Sequence, residues 1–205
     1  MNGKRIEHEP RSYLSILLGL LAVVAVAAGV VFYSHAQAEK KKAGTFNFRK
    51  PVPSDSVLRA QLNDVQYHVT RQNGTETAFR NEYWDNQRAG IYVDVITGEL
   101  LFTSLDKFEA GTGRPTFTKP ISTDCVFEKS DSSFNMQRTE VRATKSDSHL
   151  GHLFNDGPPP TGRRYAINSA GLKFIPLEKM EAEGYAEFLS LFPGSQSPTA
   201  TPQGK

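Results

Sequence analysis

The apolar positions of this chain fall into three patterns. The first is an unbroken run. Ser12 to Ser34 carries no charge, and Tyr13–Tyr33 is almost wholly apolar or small. At about 1.5 Å per helical residue the run reaches roughly 30 Å, the thickness of a bilayer core. A core helix of that length normally keeps a polar face, and this one has none. The run therefore predicts a single N-terminal transmembrane helix. Ala36-Gln37-Ala38 has the form of a signal-peptide cleavage site, so a cleaved signal is the alternative, although its apolar stretch is usually about 7 to 15 residues. Lys4, Arg5 and Arg11 precede the run; Lys40, Lys41, Lys42, Arg49 and Lys50 follow it. Basic residues alone slightly favour a cytoplasmic domain. The signal-like architecture favours export, and the expectation is a single-pass membrane protein with its domain on the exported (periplasmic or extracytoplasmic) side.

The second pattern has helical spacing. Asp55 or Ser56 can cap a helix whose apolar positions are Val57, Leu58, Leu62 and Val65. Asn73-Gly74 is a turn. A terminal helix is expected from Leu177 to about Leu191. The third pattern is short and alternating. Ile91–Val95 and Leu100–Phe102, joined through Thr97-Gly98, read as a hairpin. Further strands fit Val126–Lys129, Met136–Arg142, Gly151–Phe154, Arg164–Asn168 and Leu172–Ile175. Gly, Pro and Asp clusters separate them, which predicts a mainly β domain of the α+β class. The chain thus divides into a polar tail (1–12), the apolar segment (13–33), a basic linker (34–53), one domain (54–178), a terminal helix (179–192) and a disordered Pro/Ser/Thr/Gly-rich tail (193–205).

Composition narrows the function classes. The 205 residues leave room for one domain plus extensions. A net charge of +2 implies no strongly charged partner. No basic stripe or finger spacing supports nucleic-acid binding. Cys125 is the single cysteine, which excludes an internal disulfide and a four-cysteine zinc site.

A series of motifs then occurs in one order. It opens with Tyr67-His68-Val69-Thr70 and Asn73-Gly74-Thr75-Glu76, followed by Asn81-Glu82-Tyr83-Trp84-Asp85, Gly90-Ile91-Tyr92-Val93-Asp94 and Gly98-Glu99-Leu100-Leu101-Phe102. Ser104-Leu105-Asp106-Lys107-Phe108, Pro115-Thr116-Phe117-Thr118-Lys119-Pro120 and Arg138-Thr139-Glu140-Val141-Arg142 come next. Ser148-His149-Leu150-Gly151-His152-Leu153-Phe154 and Asp156-Gly157-Pro158 lead to Arg164-Tyr165-Ala166-Ile167-Asn168-Ser169-Ala170. From about Asp55 to about Pro176 the chain resembles the type B methionine sulfoxide reductases. The resemblance implies two antiparallel sheets folded against each other, with helices at the N-terminal side.

In that family a thiolate attacks the sulfoxide sulfur, an acid protonates the leaving oxygen, and a second thiol or external reductant clears the sulfenic acid. The resemblance places Arg114, His149, His152 and Asn168 around the pocket, with Asp156 and Arg164 behind them. Three central positions depart from the family pattern. Ala166 stands where the family has its nucleophilic cysteine. Thr112 stands at the resolving-cysteine position, as it does in members that use external reductants. Arg114 replaces the tryptophan that cages the substrate methyl, turning a flat apolar wall into a long cation. The family's zinc cysteines correspond to Asp94, Thr97, Ala143 and Ser146, so no zinc and no other cofactor is expected.

The expected function is that of an inactive binding or structural module on a membrane, a pseudoenzyme of the family. Its partners would be the membrane, through Tyr13–Tyr33, and an oxidised protein or polar ligand in the remaining pocket. Two alternatives are weighed against it. One is an active reductase, repairing protein under oxidative stress, with Cys125 or unusual chemistry as attacking group; the Asp124 carboxylate would raise rather than lower that thiol's pKa. The other is a designed Cys-to-Ala exchange, which accounts for Ala166 and not for Arg114. Arg114, His149, His152, Asn168 and Arg164 together suit an anionic or strongly polar ligand.

Overall fold

The computed structural model describes residues 51–192. Two short helices open this region: α1 (Asp55–Gln61) and α2 (Asp64–Gln72). Nine strands follow: β1 (Gly90–Asp94), β2 (Leu100–Thr103), β3 (Lys107–Phe108), β4 (Thr116–Phe117), β5 (Val126–Asp131), β6 (Arg138–Ala143), β7 (His149–Phe154), β8 (Arg164–Ile167) and β9 (Leu172–Pro176). They form a three-stranded sheet, β2-β1-β9, and a six-stranded sheet, β3-β4-β8-β7-β6-β5. Every described pairing is antiparallel. The mainly β, two-sheet expectation agrees with this architecture.

The transmembrane part of that expectation is corrected. Among the described residues no helix is long and apolar enough to cross a membrane. The longest, α2, has 9 residues, spans only about 14 Å, and carries Asp64, Arg71 and several other polar side chains. The segment Tyr13–Tyr33 lies outside the described residues, as do the linker to Lys50 and the tail from Pro193. The single-pass membrane localisation and its exported orientation therefore have no support in the structure.

The single helix expected from Asp55 is in fact two. Leu62 leaves the helical conformation, and Asn63 begins α2 with a reciprocal cap: its side chain accepts from Gln66 N while the Gln66 side chain accepts from Asn63 N. Two of the four apolar positions, Val57 and Val65, are exposed, and only Leu58 is fully buried. The expected terminal helix is replaced by two 3-10 turns, Leu177–Lys179 and Ala186–Leu191. Gly184, at φ 87°, sits between them in a conformation that no continuing helix can adopt.

Packing explains the strand sequences. The central strand β1 is buried on both faces. Tyr92 packs into one cluster with Phe102, Phe117, Tyr165, Ile167 and Phe174, which joins the two sheets. Ile91 and Val93 point the other way, into a cluster with Ile175, Met180, Tyr185 and Phe192. The C-terminal segment thus covers the outer face of the small sheet. Phe102 stacks on Phe117 at 4.5 Å between ring centroids, linking β2 to β4 across the layers.

Candidate functional site

The site lies on the face of the large sheet that points away from this core. Along β8 the side chains alternate, as in any strand. Tyr165 and Ile167 are buried in the core, while Ala166 is half-buried on the opposite face. Ala166 is in register with Thr116 of β4 on one side and His152 of β7 on the other. What the resemblance identifies as the nucleophile position is therefore central in the sheet, and a methyl group occupies it.

His149 and His152 are three residues apart, so a regular strand would send them to opposite faces. Between Val141 and Arg142 the β6–β7 register shifts, which inserts one extra residue into β7. Leu150 turns into the core, and both histidines share one face, with ring centroids 5.4 Å apart. Gly151 permits the close approach of β8: a Cβ there would lie 2.1 Å from the Ala166 carbonyl oxygen.

Each histidine is tied to a carboxylate, and each carboxylate to an arginine. His149 Nδ1 lies 2.7 Å from Glu140 Oε1, which also accepts from Arg142 Nη1 at 2.6 Å. Arg142 continues to Asp147 Oδ1 and Asn73 Oδ1, at 2.7 and 2.8 Å. Burial pushes the His149 imidazole below its ordinary pKa, against the pull of Glu140. Burial would raise Glu140 too, but its bonds to His149 and Arg142 outweigh that and keep the carboxyl below its usual value. The pair is thus a carboxylate, neutralised by Arg142, accepting the Nδ1–H of a neutral imidazole. Nε2 of that ring then carries a lone pair. It is buried and has no hydrogen-bond partner among the described residues.

His152 forms a parallel chain. Its Nε2 lies 2.8 Å from Asp131 Oδ2, which accepts from Arg138 Nη2 at 2.7 Å. Ser133, through its hydroxyl and its backbone N–H, and then His152 hold the Asp131 carboxyl well below the usual carboxylate range.

The other expected residues are placed differently from one another. Asn168 is buried and tethered at both ends of its amide: its Oδ1 accepts from Glu76 N at 3.2 Å, and its Nδ2 donates to Leu150 O at 3.0 Å. Arg164 and Asp156 meet in a two-pronged ion pair at 2.8 and 2.9 Å, with the guanidinium over the Phe154 ring. Neither bonds to His149, His152 or Asn168. Half-buried Arg114 donates from Nη2 to Glu76 O at 3.1 Å, while its Nε and the Thr112 hydroxyl are buried without partners among the described residues.

Cys125 is distant from this chemistry in kind. It belongs to the core cluster between the sheets, and its thiol donates to Ser122 O at 3.0 Å. Burial pushes its pKa up, away from the thiolate form. At the zinc-type positions, Thr97 Oγ1 donates to Asp94 Oδ2 at 2.7 Å, and the Ser146 hydroxyl bonds to that of Ser148. Hydrogen bonds tie these turns where the family's metal-binding members use thiolates. Among the described residues no group of three or more His, Cys, Asp or Glu is arranged to hold a metal.

Sequence reasoning did not single out Glu140, Arg142, Asp131, Arg138 or Glu76. Glu140 and Arg142 alternate with the buried Val141, a strand pattern that sends two opposite charges to one face. Glu76 is the least conspicuous: its buried carboxylate accepts from the N–H groups of Ser169 and Ala170, closing the turn that follows β8.

The comparisons with known proteins agree with this geometry. Residues 62–176, more than half of the chain, match the model of the SelR domain. A protein named peptide methionine sulfoxide reductase MsrA/MsrB, from Vibrio cholerae serotype O1, is 52% identical over 153 residues. That alignment covers 74% of this chain and 40% of the relative, so the chain spans well under half of that protein's length. On the domain match, the identity and the two-sheet architecture together, the chain belongs to the SelR family, the type B methionine sulfoxide reductases.

Proposed function

We propose that this chain is a member of the family that no longer carries out the family's reaction, and that it acts as a binding or structural module. The reading rests on Ala166, in register between His152 and Thr116 at the centre of β8. Reduction requires a sulfur that takes the oxygen: a thiol becomes a sulfenic acid as the sulfoxide becomes a thioether. A methyl group forms no such bond. Cys125, the single thiol, sits in the core with its pKa raised by burial, which supports the same reading. Around Ala166 the histidine–carboxylate chains are complete, so the face retains polar groups with which to hold a ligand. Repair of oxidised methionine is the family's work. Here the ligand is bound and released unchanged.

The test is turnover of a peptide methionine-R-sulfoxide with dithiothreitol. The expected rate equals the buffer blank, since loss of a nucleophile costs on the order of a million-fold in an unrelated enzyme. Turnover that disappears in Cys125→Ser would make Cys125 the attacking group and overturn the reading.

A further inference from the structure

Where the loop after Tyr83 meets the start of β3, the surface folds into a cavity of about 250 Å3. Its walls include Asp85, Asn86, Ser104, Lys107, Phe108 and Glu109. Ala166, His149 and His152 are not among them, so this cavity is separate from the site above.

Lys107 is the unusual member. It is the first residue of β3, in register with Phe117 of β4, so the sheet fixes its place. Its side chain is partly buried, and Nζ donates to the Trp84 carbonyl at 3.2 Å. Lys119 and Lys173 each meet a carboxylate in an ion pair, with Asp106 and Glu183. Lys107 is in no such contact among the described residues. Burial holds its pKa below the ordinary lysine value, and the more distant charges of Glu109 and Asp85 oppose that without cancelling it. A lysine desolvated in a cavity wall, with no carboxylate in contact, is the setting in which an amine becomes a nucleophile.

The other walls suit a small carbonyl compound. Phe108, half-buried, offers its carbon an apolar surface. Ser104 Oγ accepts from Gly90 N at 3.0 Å and donates to no described residue, which leaves its O–H for a carbonyl oxygen. Asn86 is held by Tyr92 and Arg88 and gives a fixed wall. Glu109 is tied to Gly111 N at 2.6 Å, whereas the Asp85 carboxylate has no hydrogen bond among the described residues and is free to shuttle a proton.

We propose that Lys107 is a covalent attachment site for a small aldehyde, which it holds in this cavity as an imine. The lone pair of the neutral amine attacks the carbonyl carbon. A C–N bond forms as the C=O pair moves to oxygen, while one N–H stays on the Trp84 carbonyl. The two nitrogen protons then pass to that oxygen by way of Asp85, water leaves, and a C=N bond remains. No oxidant or reductant is consumed, and water reverses the step. The site goes beyond the binding-module reading and does not depend on it.

Acetaldehyde fits the cavity; 1-pyrenecarboxaldehyde is far too large. Each is incubated with the full chain and sodium cyanoborohydride, and the trapped adducts are located by peptide mass mapping. Lys129 and Lys179, both exposed, are the internal references. At pH 7 acetaldehyde should label Lys107 about tenfold faster than either, the ratio set by about one unit of pKa. The rate at Lys107 should saturate with aldehyde concentration, while the reference rates rise linearly. The advantage should shrink toward about pH 10, where ordinary lysines also lose their proton. The pyrene aldehyde should show no preference. Emission from Trp84, the single tryptophan, should change with the same saturation, and Lys107→Arg should abolish that change. Labelling of Lys107 no faster than the references, or without saturation, would overturn the proposal. Equal preference for both aldehydes would overturn it too, because it would show a reactive amine without a site.

Discussion

The two flanks of Ala166 differ in kind. On the β7–β6 side each expected histidine is held by a carboxylate that an arginine also bonds, His149 by Glu140 with Arg142 and His152 by Asp131 with Arg138, although His149 Nε2 and Arg138 Nε lack partners among the described residues. On the β4 side the groups that would act on a substrate differ from the family pattern, with Arg114 and Thr112 partly unpaired. The bonded flank also stabilises the sheet. The Glu140 and Arg142 charges are buried, and removing one would strand the other. On the β4 flank, Thr112 and Arg114 lie in the loop before the strand, and among the described residues the Arg114 side chain donates only to the Glu76 carbonyl. On the proposed reading, residues that serve both fold and function persist when the reaction is lost, whereas those that served the reaction alone are free to change.

The most damaging way to test that difference is to break the bonded flank. Glu140→Ala leaves Arg142 without its most buried carboxylate partner and His149 without its acceptor, all three side chains being less than 10% exposed. Unfolding by urea should show a loss of about 3 kcal/mol or more. Ala166→Ser, on the same face, should change stability by less than about 1 kcal/mol. Similar losses at the two positions would erase the distinction.

Gly151→Ala should come next, at about 2 kcal/mol, because the added methyl meets the Ala166 carbonyl at 2.1 Å and must force β7 and β8 apart. The histidine pair depends on that bulge, so the ring signals of His149 and His152 should move together. A variant as stable as the parent would mean that the two strands separate easily.

A third effect depends on pH. His149 is buried with its pKa lowered from 6.5, so the unfolded chain binds its proton first as pH falls. Stability is therefore full above about pH 6.5 and declines through the lowered pKa. Replacing His149 by Gln should flatten the urea midpoint between pH 7 and pH 5. Asp131 acts lower on the scale: its depressed pKa contributes stability above the unfolded value, lost as the carboxylate is protonated. Asp131→Asn should flatten that acid limb and leave the neutral range of the curve unaltered in shape.

The smallest effect belongs to the tip of the β5–β6 hairpin. Phe134 is 83% exposed and has φ 56°, a conformation that bulky residues adopt at a cost. Phe134→Asn should be neutral or stabilising by up to about 0.5 kcal/mol. A clear loss would mean that the Arg138 guanidinium, 5.8 Å over the Phe134 ring, contributes more than the strained backbone costs.

The β domain was legible from alternation. Strands read at Ile91–Val95, Leu100–Phe102 and Val126–Lys129 correspond to β1, β2 and β5 within a few residues. The two-residue strands β3 and β4 were not, since two residues carry no period. Periodicity also merged α1 with α2, where the Asn63–Gln66 spacing was the available signal of a new start. The terminal helix was expected over a segment that instead folds against the small sheet as two 3-10 turns, burying Met180, Tyr185 and Phe192. At the site, the motifs named His149 and His152, but only a bulge puts them on one face, and a bulge has no signature in residue types. Asn168 was expected among the groups lining the pocket, yet its amide is used as a tether. Long-range partners of that kind depend on the closed fold.

Restoration measures the central claim most directly, that the chemistry is absent while the supporting flank stands. Ala166→Cys supplies the thiol beside His152. Arg114→Trp supplies an apolar wall for the methyl group. The single cysteine variant should reduce a peptide methionine-R-sulfoxide feebly with dithiothreitol. The pair should do so about a hundredfold faster, with strong non-additivity because both changes act on one bound substrate. A folded double variant with no turnover would contradict the account, because it would mean that the histidine–carboxylate flank no longer supports the reaction either.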